Sequence, residues 1–133
     1  VAAPLLSDIE WHLKEPLNVE EMNQAAQRFQ GEHDFTSFCR RPKGQPEASM
    51  VRTIHQAEWH QRSQWRLQFE ITANAFCHQM VRSVVGFCVA VGTSKRSARD
   101  VETVFTAKDR SSAAPIAPPH GLTLVHVTYP SDD

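Results

Sequence analysis

Residues 8–13 alternate strictly between apolar and polar side chains, the pattern of a strand with one buried face. Pro16 follows and ends this strand. Apolar residues then recur at helical spacing between positions 19 and 29. Asn18 is a favourable N-cap for that helix, and Gly31 is a favourable residue for its end. The first part of the chain therefore predicts a strand followed by an amphipathic helix.

A second alternating pattern predicts a β-hairpin in the middle of the chain. Residues 50–60 form its first strand, residues 61–64 its turn, and residues 65–72 its second strand. The hairpin is followed by a mostly apolar helix over residues 75–91, which Gly92 ends. A helix this apolar is predicted to be largely buried.

The other segments complete one domain. Residues 33–38 predict a short helical turn capped by Asp34, residues 39–49 a basic loop, residues 97–107 another helix, and residues 122–129 a final strand. The resulting order, β-α-β-β-α-(α)-β, predicts an α+β fold of the split βαβ (ferredoxin-like or RRM-like) type. Its antiparallel sheet would carry the helices on one face. We expect the 133 residues to form a single domain.

The composition is that of an ordinary globular protein. Hydrophobic residues make up 41% of the chain and charged residues 22%. No apolar run approaches the roughly 20 residues of a transmembrane helix, and no secretory signal is visible. We therefore expect no membrane partner and a cytoplasmic location. There Cys39, Cys77 and Cys88 are predicted to be free thiols that bind no metal.

Positive charge is concentrated in the middle of the chain. The formal net charge is −1, but residues 35–99 contain ten Lys and Arg against three Asp and Glu. A basic segment of this kind can face the phosphates of a nucleic acid. The alternative is that these side chains are distributed over several solvated faces. The charge count by itself is compatible with both.

Arg82 is the only Lys, Arg, Asp or Glu in the predicted helix 75–91. A charged group in a mostly buried helix has to reach either solvent or a partner carboxylate. Gly86, one turn later, permits close approach of a ligand or of another backbone. The alternative is a structural arginine that extends to the surface or closes an ion pair in the core.

The segment 111–121 contains three prolines before Gly121. A stiff backbone followed by a glycine could form a wall against which a flat ring packs, but it could equally be a surface connection. The sequence has no glycine-rich nucleotide-binding motif, no serine-hydrolase motif and no zinc-protease motif. We therefore expect neither a cofactor nor a metal.

Several of these segments together resemble the C-terminal half of the tRNA pseudouridine synthase A (TruA) family. The most specific are the His-Asp-Phe block at residues 33–35 and the Met-Val-Arg block at residues 80–82. The matching segments follow in order through nearly the whole chain: residues 16–22, 31–39, 51–54, 74–82, 91–92, 109–110, and 117–122 through Tyr129. The Cys-His-Gln sequence at residues 77–79 is similar to an actinobacterial variant of the family.

The resemblance implies a cofactor-independent isomerase, and it implies that this chain is one half of the pseudouridine synthase fold. Such enzymes detach uracil from C1′ of a tRNA uridine, rotate it and rejoin it through C5, at positions 38 to 40 of the anticodon arm. The family's catalytic aspartate lies in a Gly-Arg-Thr-Asp-Ala-Gly motif of the N-terminal half, which this chain lacks, so the chain alone is expected to be inactive. The implied partners are tRNA, the N-terminal half of the same enzyme and a second copy in a homodimer.

The resemblance also implies roles for individual residues. Arg82 matches the arginine that pairs with the catalytic aspartate, whose carboxylate needs a permanent positive charge beside it in a closed, desolvated pocket. Gly121 and Leu122 match the motif that packs near the target base. His78 and Gln79, expected on the same helix as Arg82, would help to position it or the RNA. The residues expected to contact phosphates are Arg40, Arg41, Lys43, Lys95, Arg96 and Arg99.

Two other functions compete with this one. A non-catalytic RRM-like module would bind RNA on its open sheet, but residues 65–72 lack the glycine and aromatic pattern of an RNP1 motif. A structural or dimerisation domain would make the basic residues incidental. Negligible, salt-independent binding of tRNA would favour that last function.

Overall fold

The computed structural model describes residues 5–12 and 16–113, and the backbone alone of residues 122–127. The strands are β1 (Leu5–His12), β2 (Gly31–Asp34), β3 (Val51–Ser63), β4 (Arg66–Ala73) and β5 (Leu122–Val127). The helices are α1 (Val19–Phe29), α2 (Met80–Gly92) and α3 (Asp100–Ala107). Two short 3₁₀ turns cover Thr36–Phe38 and Arg110–Ser112.

The strands form one antiparallel sheet in the order β2-β3-β4-β1-β5. On β4, Leu67, Phe69 and Ile71 are buried, whereas Gln68 and Glu70 between them are partly exposed. The buried face of the sheet belongs to one hydrophobic core with α1 and α2, and the described side chains on the other face are mostly polar and at least partly exposed. The predicted α+β fold with helices on one face is therefore confirmed.

Aromatic packing and a close helix contact fix α2 in the core. The ring of Phe29 in α1 makes edge contacts with Phe38 at 5.0 Å and with Phe87 of α2 at 5.7 Å between ring centroids. At Gly92 an added Cβ would lie 2.7 Å from the sulfur of Met22. A larger residue would require the buried Met22 side chain to shift, so glycine favours the close approach of the end of α2 to α1.

β2 is a strand that the sequence pattern did not predict. Gly31, at φ 97°, turns the chain from the end of α1 into a short strand that pairs with residues 51–54. Asp34 ends β2, and its Oδ1 atom accepts the backbone N–H of Thr36 at 3.0 Å. Asp34 thus accepts a hydrogen bond from the turn, but the N-cap position is Phe35 and the turn is limited to three residues, so the prediction of Asp34 as the cap was wrong.

Side chains of α1 and of Gln30, the residue that follows it, cover the part of β3 that lies beyond the end of β2. Asn23 accepts the N–H of Trp59 at 2.7 Å and donates to its carbonyl at 3.1 Å. Gln30 accepts the N–H of Ala57 at 3.1 Å. These amides satisfy backbone groups that the four-residue β2 does not reach.

The helix predicted to begin at residue 75 begins at Met80. Gln79, at φ 68°, has left-handed backbone geometry, which interrupts helical hydrogen bonding before this point. The side chain of Asn74 accepts the N–H of Thr53 at 2.9 Å and does not cap a helix. The prediction was therefore wrong for residues 75–79, which form an irregular segment.

The hairpin turn also differs from the prediction. β3 extends to Ser63, and the turn consists of Gln64 and Trp65. Trp65 is consequently outside β4, with 55% of its surface exposed. None of the helices in the described part of the chain combines the length and apolar character needed to cross a bilayer.

Candidate active-site helix and basic pocket

The irregular segment before α2 is attached to the chain that follows the first 3₁₀ turn. A disulfide joins Cys39 to Cys77, with the Cα atoms 5.7 Å apart. Beside it, the backbone N–H of Arg40 donates to the carbonyl of His78 at 2.8 Å. These two contacts cross a large separation in sequence, so they hold the start of the basic loop against the segment that leads into α2.

The disulfide corrects the prediction of three free thiols, which was wrong for Cys39 and Cys77. Cys88 is free, as predicted, and lies fully buried in α2. Burial raises the pKa of the Cys88 thiol to about 12, so this group stays neutral and acts as a small apolar side chain. No three His, Cys, Asp or Glu side chains come together as a metal site among the residues described.

Arg82 lies in the first turn of α2, between the buried residues Val81 and Ser83. Its side chain is only partly exposed, and the Nε atom is buried. The turn is anchored by the N–H of Ser83, which donates to the carbonyl of Gln79 at 2.9 Å. An arginine side chain carries a permanent positive charge, the kind of group that a desolvated carboxylate needs as its partner.

His78 and Gln79 precede α2, so the expectation that they share a helix with Arg82 is wrong. The left-handed backbone of Gln79 separates them from the helix. The Nε2 atom of Gln79 lies 3.5 Å from Nε2 of His78. His78 is exposed, and Gln79 is partly exposed. Both therefore belong to the irregular segment, where His78 reaches a pocket that Arg82 does not line.

A concave pocket of about 560 Å³ lies where the basic loop meets the irregular segment. We call it the basic pocket. It is lined by Arg40, Arg41, Pro42, Lys43, Met50, Arg52, Ala75, Phe76, Cys77 and His78. The lining contains four permanent positive charges and no carboxylate. It thus brings together Arg40, Arg41 and Lys43 from the predicted phosphate contacts, and it adds His78.

Sequence reasoning did not find Arg52, which also lines this pocket. Its NH1 atom donates to the carbonyls of Ser49 at 3.1 Å and Val51 at 2.8 Å. The guanidinium is therefore anchored to the backbone around it. The available signal was a charged residue at the third position of the predicted strand 50–60, close to the end of the basic loop.

The second predicted group of phosphate contacts lies elsewhere, in the connection from α2 to α3. Arg96 donates to the carbonyl of Ser112 at 2.8 Å, and its guanidinium lies 4.7 Å from the centre of the Phe87 ring. These contacts give Arg96 a structural role. Lys95 and Arg99 are exposed and do not line the basic pocket.

The predicted base-contacting motif falls mainly outside the described residues. Gly121 is not among them, and Leu122 is described only in its backbone. Leu122 is the first residue of β5 and lies opposite Trp11 of β1 in the antiparallel pairing. The position of its side chain relative to Arg82 stays a prediction.

Asp34 is the carboxylate whose titration is coupled to the basic loop. The hydroxyl of Thr36 donates to it at 2.6 Å. This hydrogen bond is the main cause that lowers the pKa of Asp34, and burial opposes it. The N–H of Thr36 and the charges of Lys108 and Arg41 lower the pKa further. Asp34 therefore acts as an ionised acceptor for the N–H and the hydroxyl of Thr36, a structural role.

The open face of the sheet has a different character from the basic pocket. We define it by Asp8, Glu10, Glu58, His60, Arg62, Arg66, Gln68 and Glu70. Arg66 lies 3.3 Å from Glu10, and Arg62 lies 3.9 Å from Glu70. The sheet aromatics Trp11, Trp59 and Phe69 are buried on the opposite side. In the strands whose side chains are described, this face offers no Phe, Tyr or Trp ring on which a base could stack.

Comparison with known proteins assigns the family. A family model described as tRNA pseudouridine synthase matches residues 25–130. The tRNA pseudouridine synthase A of Streptomyces avermitilis is 39% identical over 131 residues, which are 98% of this chain and 45% of that protein. The same-named protein of Bacillus velezensis is 40% identical over 119 residues, 90% of this chain and 47% of that protein. The chain thus spans about half the length of these relatives, and it belongs to the tRNA pseudouridine synthase family.

Proposed function

We propose that this chain is the C-terminal part of an enzyme that converts uridine to pseudouridine in the anticodon arm of tRNA. The observation that carries the proposal is Arg82, a partly buried arginine in the first turn of an otherwise apolar helix. Its role is to hold the catalytic aspartate of the N-terminal half in its ionised form. The aspartate would act at the reacting uridine, so Arg82 is a positioning residue.

The electrostatic argument gives Arg82 a specific task. A carboxylate enclosed with a nucleobase loses hydration, which raises its pKa and favours the neutral acid. A guanidinium that is fixed in place and always charged reverses this shift and can form two parallel hydrogen bonds to the carboxylate. Without it, the aspartate would be protonated over a wider range of pH and would be held less firmly.

The other parts of the substrate site follow from the same proposal. Gly121 and Leu122 would pack near the target base, and His78 with Gln79 would guide the RNA toward it. The basic pocket, together with the exposed Lys95 and Arg99, would contact phosphates of the tRNA. The enzyme would act in the cytoplasm as a homodimer without a cofactor. Support for the RNA contacts comes from the uncompensated charge of the pocket.

The proposal is tested by pseudouridine formation in tRNA with the full-length enzyme that contains this chain. Replacing Arg82 with Ala should lower kcat/KM by about 100-fold or more, the effect of leaving a buried charge without its partner. Affinity for tRNA should change by less than about threefold, because one phosphate contact at most is affected. The acid limb of the pH profile should move to higher pH, since the pKa of the aspartate rises.

Two controls separate this role from a general effect on folding. Arg82→Lys keeps the charge but loses the bidentate geometry. It should therefore retain part of the activity that Arg82→Ala loses, and its pH profile should lie close to that of the unmodified enzyme. The 133-residue chain alone should show no turnover. Turnover by the chain alone, or equal losses of activity and tRNA affinity in Arg82→Ala, would contradict the proposal.

The RRM-like alternative has no comparable support. Its bases would have to stack on the open face of the sheet, which is rich in carboxylates and has its cations already paired. Tight binding of single-stranded RNA by the chain alone, abolished by changes on that face, would revive this alternative.

A further inference from the structure

We infer that the basic pocket is a discrete binding site for one nucleotide of the RNA, separate from the site at Arg82. The inference rests on the proposed function only for the choice of RNA as the ligand. It differs from a diffuse basic surface because the pocket combines concave shape, anchored cations and an apolar wall. Each of these features is visible in the described residues.

The first feature is unbalanced charge in a confined space. The pocket is lined by Arg40, Arg41, Lys43 and Arg52 and by no Asp or Glu. In the described part of the chain, none of these four has a carboxylate oxygen within 4.0 Å, although other arginines of the molecule do. Four like charges around one cavity repel each other, and a bound anion relieves that repulsion.

The second feature is the way Arg52 is held. Two backbone carbonyls, of Ser49 and Val51, fix its NH1 atom. Its Nε atom is buried and has no hydrogen-bond acceptor among the residues described. Because the side chain is held in one position by its own backbone, little freedom is lost when an anion binds to it. Arg41 is similarly tied to the backbone, through the carbonyl of Ala48.

The third feature is an apolar wall in the lining. Pro42, which is exposed, and Ala75, which is partly exposed, contribute most of it, with small parts of the nearly buried Met50, Phe76 and Cys77. A free phosphate would leave this wall unused, whereas the ribose and base of a nucleotide could cover it. The volume of about 560 Å³ is within the range of sites that enclose small organic ligands. The combination of charge and apolar surface therefore fits a nucleotide better than a simple anion.

The fourth feature is the connection to the helix that carries Arg82. Two segments distant in sequence form the walls, and they are joined by the Cys39–Cys77 disulfide and the bond from Arg40 N–H to the His78 carbonyl. The second segment leads directly into α2. Because Arg82 itself does not line the pocket, the bound nucleotide would be one that accompanies the target uridine and not the target itself.

The experiment uses three small probes with the 133-residue chain: uridine 5′-monophosphate, uridine and inorganic phosphate. Binding is followed by titration calorimetry and by NMR shifts of the Met50 methyl group. We expect the monophosphate to bind more tightly than either of the other two and to shift Met50. Equal affinity for inorganic phosphate would overturn the nucleotide inference and leave only an anion site. An affinity for uridine equal to that for the monophosphate would show that the cations do not contribute to binding, and it would also overturn the inference.

Variants connect the binding to the pocket. Arg52→Gln should weaken binding of the monophosphate by about tenfold or more, since a charged hydrogen bond is lost. Arg40→Gln, an exposed change with little risk to the fold, should weaken it severalfold. Arg66→Gln on the open face is the matched control and should have no effect. Unchanged binding in both pocket variants would overturn the inference.

A kinetic measurement distinguishes failure of this inference from failure of the proposed function. In the full-length enzyme, Arg52→Gln should raise KM for tRNA and leave kcat nearly unchanged, because the contact exists in both ground state and transition state. Arg82→Ala should lower kcat. If only the Arg82 result is obtained and the monophosphate does not bind, the proposed function stands and the separate nucleotide site is rejected.

Discussion

The basic pocket and the open face of the sheet both contain arginines, but only in the basic pocket is their positive charge not balanced by neighbouring carboxylates. On the open face, Arg62 and Arg66 lie within 4.0 Å of Glu70 and Glu10. In the basic pocket, no lining residue is acidic. The difference shows that the number of basic residues in a segment is a poor guide to the positive charge that is available to a partner. What counts is whether the fold places acids beside them.

The two regions also differ in how they are built. The open face stands on β1, β3 and β4, whose backbone pairing is continuous over most of their length. The basic pocket stands on two irregular segments, joined by the Cys39–Cys77 disulfide and one backbone hydrogen bond. The pocket should therefore depend on a few contacts, whereas the sheet depends on many. The following predictions use this difference.

The largest effect is expected from breaking the disulfide. Replacing both Cys39 and Cys77 with Ser should lower the free energy of unfolding by about 2–4 kcal/mol, because a closed loop of this length restricts the unfolded chain. Urea denaturation measures the loss. Amide exchange should increase at Arg40 and in the segment before α2, while the amides of β4 stay protected.

Reductant provides the control for that prediction. It should destabilise the unmodified chain to a similar extent and leave the double Ser variant unchanged. When the chain is unfolded without reductant, a thiol reagent should react with one thiol, that of Cys88. Finding three thiols would instead restore the prediction from sequence that all the cysteines are free.

The same contacts explain where sequence reasoning failed. Phe76 and Met80 are both buried and lie four residues apart, so local periodicity extends the helix back to residue 75. The helix begins only at Met80, because Cys77 and His78 are held by Cys39 and Arg40, about 38 residues earlier in the chain. A pattern read over one or two turns contains no information about such partners.

Elements that depend on local signals were predicted well. The alternation on β4 matches its burial, and Asn18 caps α1 by accepting the N–H of Glu21 at 3.0 Å. The residues of the site divide in the same way. Arg40, Arg41 and Lys43 form a visible cluster in sequence, but Arg52 is hidden in a strand pattern and becomes part of the pocket only through the fold.

An intermediate effect is expected on tRNA affinity when charge is removed from each region in turn. Changing Arg40, Arg41 and Lys43 together to Gln should weaken binding of tRNA by about 10- to 100-fold near 0.1 M salt. The slope of the logarithm of the binding constant against the logarithm of the salt concentration should become smaller in magnitude by roughly two to three. The matched change of Arg62 and Arg66 to Gln should alter affinity by less than about twofold. Filter binding at several salt concentrations measures both variants. Equal losses would remove the distinction between the two regions.

The smallest effect is expected at Asp34, the carboxylate whose pKa is lowered by Thr36 and, to a lesser degree, by Lys108 and Arg41. Since its pKa in the folded chain is below the unfolded value of 3.8, its contribution is complete above that value and is lost as the pH falls through the folded pKa. Asp34→Asn should therefore cost about 0.5 kcal/mol at pH 7, because Asn keeps an acceptor oxygen for Thr36 and loses only the charge of a partly exposed side chain.

The difference in stability between Asp34→Asn and the unmodified chain should shrink as the pH falls below about 4, which denaturation at a series of pH values can follow. A difference that stays constant to lower pH would show that the shape of the side chain matters and its charge does not. Affinity for tRNA should stay equal or increase slightly, because the change removes a negative charge that acts on Arg41. A loss of affinity would mean that Asp34 holds the basic loop in its binding conformation, so that the pocket depends on an acid that does not line it.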